Sequence, residues 1–170
     1  DISLAGLKSE GYLPHDNQIV QIASSIMQDS GKWGERHLCR TLFVSCKLAE
    51  ALGISGEELE QVKGASFLFA WSFADNNPAL LHDNYLRNRR HNLRTEICSR
   101  VKDSAMKILG DLRDSELGAI VATMARLIGR EEAVGEDRVA LMASGVMIAD
   151  LVDRVCFHSG YWDPRAAHSL

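Results

Sequence analysis

Proline is nearly missing from this sequence. Only Pro14, Pro78 and Pro164 occur in 170 residues, and each falls between periodic segments or after the last one. Sustained period-2 alternation of apolar and polar residues is missing as well, which excludes convincing strands. There is no CxxC pair. The four cysteines (Cys39, Cys46, Cys98, Cys156) occur singly, and a chain this long buries a core without disulfides. They read as reduced thiols of a cytoplasmic protein, most of them inside helices.

Positive charge is not in excess either. Nineteen basic residues face 23 acidic ones, for a net charge of −4 and a pI of about 5.9, which argues against a dedicated nucleic-acid binder. Uncharged stretches such as Gly64–Ala74 fall far short of the ~20 residues a membrane helix needs. The start, Asp1-Ile2-Ser3-Leu4-Ala5, lacks the basic-then-apolar layout of a signal peptide and has no initiating Met, so the sequence is expected to be a piece of a longer chain. Glycine-rich phosphate loops, G-x-S-x-G, H-E-x-x-H and Walker patterns do not occur, which removes the common hydrolase and nucleotide motifs.

What is present is helical spacing. With 46% hydrophobic and 25% charged residues, the composition is that of one globular domain. Asp16 is placed to cap a helix with the stripe Ile19, Ile22, Ala23 and Ile26. A second helix, about 33–52, carries Leu38, Leu42, Cys46 and Ala49 on one side, with Gly53 suited to its C-cap. Ser55-Gly56-Glu57-Glu58 has the form of a capping box and opens a third, which turns almost wholly apolar over Ala65–Trp71. A fourth covers about 93–109. Asp114 or Ser115 caps a fifth with Leu117, Ile120, Val121, Met124 and Ile128. The sixth, about 136–157, is apolar on most sides. The expected fold is all-α, a compact single-domain bundle of about six helices over 16–158, with a lead-in at 1–15 and a tail at 159–170.

Three constellations stand out. His37 lies one residue before the apolar stripe of the second helix, where a lone His is more often a hydrogen-bonded core residue than a ligand. Asp150 and Asp153 lie in the most apolar helix, where a carboxylate needs a cation, a metal or backbone donors. A buried Asp–Arg or Asp–His pair is the simpler reading. Third, residues 84–102 hold six basic side chains (Arg87, Arg89, Arg90, Arg94, Arg100, Lys102) against Glu96, a local +5 that leaves −9 for the remainder. Arg87, Arg89, Arg90 and Arg94 are candidates to bind a nucleotide phosphate or an acidic partner; the simpler reading is a solvated face.

The run His37-Leu38-Cys39-Arg40, then Lys47-Leu48-Ala49-Glu50-Ala51-Leu52-Gly53-Ile54-Ser55-Gly56-Glu57-Glu58-Leu59, leads into Ser66–Trp71. It resembles the opening of an HD-type metal-dependent phosphohydrolase domain, particularly the HD-GYP branch of bacterial signalling proteins. Ala149-Asp150-Leu151-Val152-Asp153 resembles that family's later Asp-bearing helix, and the likeness spans about 16–157. The resemblance implies ligand positions at His37, Ala70, Trp71 and Asp150, of which only His37 and Asp150 keep a ligand side chain. Ala74 stands where the family's phosphate-contacting Lys would be, and its histidine-rich segment is replaced by 122–129.

A hydrolytic metal needs roughly three or four protein ligands and an open position. The expectation is therefore a catalytically inactive, HD-like regulatory or interaction domain without catalytic residues, metal or other cofactor. Its partner would be a signalling protein or an attached sensor or receiver domain, linked to cyclic-di-GMP signalling, and a homodimer is compatible with it. The alternatives are an active phosphohydrolase with a rearranged site, recruiting Asp75, Asp153 or His82 to His37 and Asp150, and a binding module built on the 87–102 basic patch.

Overall fold

The computed structural model describes residues 2–15, 19–21, 31–76, 99–100, 103–104, 107, 110, 115–129 and 137–157. Every regular element among them is helical. Five helices have complete bounds: α1 (Leu4–Ser9), α2 (Gly31–Ala51), α3 (Glu57–Asn76), α4 (Glu116–Gly129) and α5 (Arg138–Phe157). Helical residues also occur at 19–21 and within 99–107, so the fold is the expected all-α bundle of about six helices. Helices α2, α3, α4 and α5 close a ring, each touching the next and α5 returning to α2, while α1 rests on α2.

The apolar spacing read from the sequence is the spacing that is buried. Leu38, Leu42, Cys46 and Ala49 of α2 lie in the core with Leu117, Ile120, Val121, Met124 and Ile128 of α4. Each fully buried Leu or Ile contributes about 1.5–3 kcal/mol relative to an exposed one. The centre of α3, Ala65–Ala70, is buried on every side, and its one polar residue, Ser66, donates its hydroxyl to Val62 O within the helix. Gly64 lets α4 come close: a Cβ there would sit 3.3 Å from a Leu117 methyl. Helix α5 is less enclosed than its composition suggests, since Ile148 is 51% exposed.

Helix ends follow local hydrogen-bonding needs. At the end of α2, Gly53 has φ +73°, its N–H donates to Glu50 O and the Ile54 N–H donates to Ala49 O. This is a Schellman closure, and buried Ile54 seals it. Ser115 caps α4 by accepting from the Gly118 N–H, and Asp137 caps α5 by accepting from the Ala140 N–H at 2.7 Å.

Two expectations need correction. The lead-in at 1–15 contains helix α1, capped by Ser3 and closed at Gly11 (φ +76°), where the Tyr12 N–H donates to Leu7 O. The capping box at Ser55 does not form. Gly56 (φ +60°) is the residue whose carbonyl accepts the first helical bond, from Glu60, so α3 begins one residue later. Glu58, the would-be box partner, instead accepts a two-pronged ion pair from Arg138, which also donates to Gly53 O. The expected cap at Asp16 and most of the fourth helix lie outside the described residues.

Because only glycine adopts the Gly53 conformation without strain, Gly53→Ala should destabilise the fold by about 1 kcal/mol. A chemical-denaturation midpoint checks this; an unchanged midpoint would mean the α2–α3 corner is not under conformational constraint.

Candidate functional site: a buried imidazole between two carboxylates

Helix α2 carries His37 and Arg40 one turn apart, and α5 carries Asp150, Asp153 and Arg154 within one turn. Residues three or four apart share a helix face, so the two sets face each other where α2 and α5 pack. His37 is wholly buried, and Asp150, Asp153 and Arg154 are nearly so.

Both ring nitrogens of His37 face a carboxylate. Nδ1 lies 2.6 Å from Asp153 Oδ2, and Nε2 lies 3.0 Å from Asp150 Oδ1. The first contact is an aligned hydrogen bond; the second has ion-pair distance without hydrogen-bond alignment. Each carboxylate is also held by an arginine. Arg154 Nε donates to Asp150 Oδ2 at 2.7 Å within α5. Arg40 donates to Asp153 through Nε, and through Nη2 at 3.2 Å to Oδ2. Thr41, one turn beyond His37, is buried with no hydrogen-bond partner for its hydroxyl among the described residues.

The electrostatics follow from this geometry. A neutral imidazole would turn a lone pair toward one carboxylate, so flanking by two carboxylates requires both nitrogens to carry protons. Burial by itself lowers the His37 pKa, but Asp150 and Asp153 outweigh it and raise the value. Burial pushes Asp150 the other way, yet the Arg154 guanidinium and the His37 ring hold its carboxyl far below the usual carboxylate range.

The structure thus brings together His37 and Asp150 and gives Asp150 and Asp153 the paired environment expected of carboxylates in an apolar helix. Among the described residues no group of three or more His, Cys, Asp or Glu is arranged to hold a metal ion. Asp150 and Asp153 lie at opposite nitrogens of the ring, and Asp150 Oδ2 is taken by Arg154. Ala70 is buried in the core, and the Trp71 and Asp75 side chains, His82, Asp83 and the basic patch at Arg87, Arg89, Arg90 and Arg94 lie outside the described residues. The His15 N–H donates to Glu60, and Asp16 lies outside the described residues. Two residues of the cluster, Arg40 and Arg154, were not singled out from sequence. Arg154 was legible as the i+4 partner of Asp150; Arg40 was not, because its partner lies 113 positions away.

Three of the cysteines, Cys39, Cys46 and Cys156, are described, and all three are free and buried. Burial pushes the Cys39 thiol up to about 11 and the Cys46 thiol to about 12, so neither is a nucleophile at neutral pH. No helix among the described residues is long and apolar enough to cross a membrane. Comparison with known protein families, with curated proteins and with solved structures returns no match for this chain.

The cluster fixes the sign of the pH dependence. His37 has a raised folded-state pKa, so its stabilisation is fully present below about pH 6.5 and is lost as pH rises through the raised value. Asp150 has a lowered one, so its stabilisation is present above about pH 4 and is lost as pH falls. Urea midpoints measured across pH should fall on both sides of a plateau that spans about pH 4–6.5; a midpoint that climbs steadily above pH 7 would contradict a charged His37. Asp150→Asn should cost about 3–5 kcal/mol, because it strands Arg154 and weakens the hold on His37. The same urea titrations measure that loss.

Proposed function

We propose that this chain is a catalytically silent, HD-like helical domain that works in bacterial signal transduction through conformation and contact. Its partner would be a signalling protein or an attached sensor or receiver domain, in a cytoplasmic setting and linked to cyclic-di-GMP. The carrying observation is the state of Asp150: one oxygen lies against the His37 ring and the other accepts from Arg154. A hydrolytic metal needs several converging donors and a free position for an activated water. Here the donors already serve protein cations, and a metal entering at Asp150 would have to displace a guanidinium that is itself buried.

The order and spacing of the HD-like segments support the family side of the reading. The loss of ligand side chains at Ala70 and Trp71 supports the silent side. Fold by itself does not establish activity, so the signalling role rests on likeness.

The test is metal binding together with turnover. The purified protein should contain no stoichiometric Mn, Fe, Zn or Ni, and adding these ions should leave its melting temperature unchanged. It should not hydrolyse a generic phosphodiester such as bis(p-nitrophenyl) phosphate. One equivalent of bound metal, or turnover that Asp150→Asn abolishes, would replace this reading with that of a rearranged phosphohydrolase.

A further inference from the structure

We infer that the N-terminal segment 2–15 is a strap that undocks from the α2–α3 face while the four-helix ring stays folded, uncovering the surface around Phe43, Cys46 and Lys63. This conformational device goes beyond the proposed function and does not depend on it. Helix α1 has six residues, well below the roughly 12–15 an isolated helix needs, so it is helical only while docked. Docking and folding of the strap are therefore one event.

Leu4, Tyr12 and Leu13 pack partly buried against the core beside Leu7, and the polar contacts that complete the hold are reversible in water. Leu7 is the one residue of α1 buried in the core. Tyr12 packs edge-on against Phe43 with ring centroids 5.5 Å apart, and Lys47 Nζ lies 4.9 Å from the Tyr12 ring centre. Lys63 Nζ donates to Gly11 O at 2.8 Å and to Glu60 at 2.6 Å, while Glu60 accepts from the His15 N–H at 2.9 Å.

The charges decide which part opens first. The Lys63 side chain is only 6% exposed under the strap. When the strap leaves, its ammonium regains water and keeps Glu60, three residues away on the same helix, so undocking strands no charge. Opening the α2–α5 seam would separate His37 and Arg40 from buried carboxylates, a far costlier step. The molecule is thus built with a loose edge and a locked seam.

Cys46 reports on this motion. Both Cys46 and Cys39 are wholly buried in the core cluster that contains Leu7, but the charged surroundings of Cys46 are Lys47, Lys63, Glu50 and Glu60, of which Lys47, Lys63 and Glu60 also contact the strap. Cys39 lies about two turns earlier on α2, near Glu35 and Arg40 instead.

The experiment is alkylation of the intact chain by N-ethylmaleimide under native conditions, resolved for each cysteine by peptide mass, across a low urea series. Cys46 should label faster than Cys39 and with a shallower urea dependence. Leu7→Ala should speed Cys46 labelling by about tenfold or more and leave Cys39 unchanged. Tyr12→Ala should act in the same direction. Equal rates and equal urea slopes for the two thiols would overturn the proposal. So would a Leu7→Ala chain in which both thiols accelerate together or the whole bundle is lost, because the strap would then belong to the global folding unit.

Discussion

A charged imidazole held out of water between two carboxylates is the constraint around which the rest of the bundle is arranged. With His37 protonated, three positive groups (His37, Arg40, Arg154) meet two negative ones (Asp150, Asp153) at the α2–α5 seam. Desolvating so many ions is costly, and their attraction repays it only when geometry is good and the extra charge reaches solvent. Arg40 provides that outlet: its side chain is 20% exposed, whereas those of His37, Asp150, Asp153 and Arg154 are at most 3% exposed. The surplus positive charge can thus reside at the edge of the cluster instead of its centre.

Such a cluster does for α2 and α5 what apolar packing alone does weakly. Leu38, Leu42, Val146 and Met142 offer smooth hydrophobic surface, and cores built from similar residues tolerate alternative arrangements. Shifting one helix by a single residue moves it 1.5 Å along its axis. That would leave the surrounding aliphatic contacts serviceable but break contacts of 2.6 and 3.0 Å to the two ring nitrogens. The ions therefore select one register of the α2–α5 pair, a use of buried polar groups that is well attested in helical assemblies. Caps fix the other degrees of freedom. The closure at Gly53 and the fork of Arg138 on Glu58 set where α2 ends, where α3 begins and where α5 enters.

Much of this was legible because helices announce themselves locally. The stripe Leu38, Leu42, Cys46, Ala49 and the stripe through Leu117 and Met124 repeat at helical spacing, and burial follows them. Gly53, Ser115 and Asp137 sit where cap chemistry calls for such residues. Helix α1 escaped notice because six residues contain less than two turns, too few for a period to show. The S-x-x-E form pointed to Ser55 as the start of α3, but Gly56 takes that place, a one-residue shift of the kind helix ends show. The ion cluster was half legible. A buried Asp must have a partner, and Asp150–Arg154 satisfies that need within one helix turn. The junction of Asp153 with His37 spans 116 positions and depends on which helices meet, which local pattern does not encode.

The same geometry separates a salt-bridge network from a metal centre. A carboxylate facing an imidazole is equally good as a pair of metal donors and as half of a salt-bridge network; what separates the two is the identity of the cation between and around them. In a metal centre a small dication draws several lone pairs to one point. Here both imidazole nitrogens face carboxylates as proton donors, and Arg154 supplies the second positive charge to Asp150. The protein's own cations are covalently attached, always present and positioned by α5 itself, so they hold the seam together without a supply of metal. The charge of the seam is therefore neutralised from within the chain, and the two helices are held by groups that α2 and α5 themselves carry.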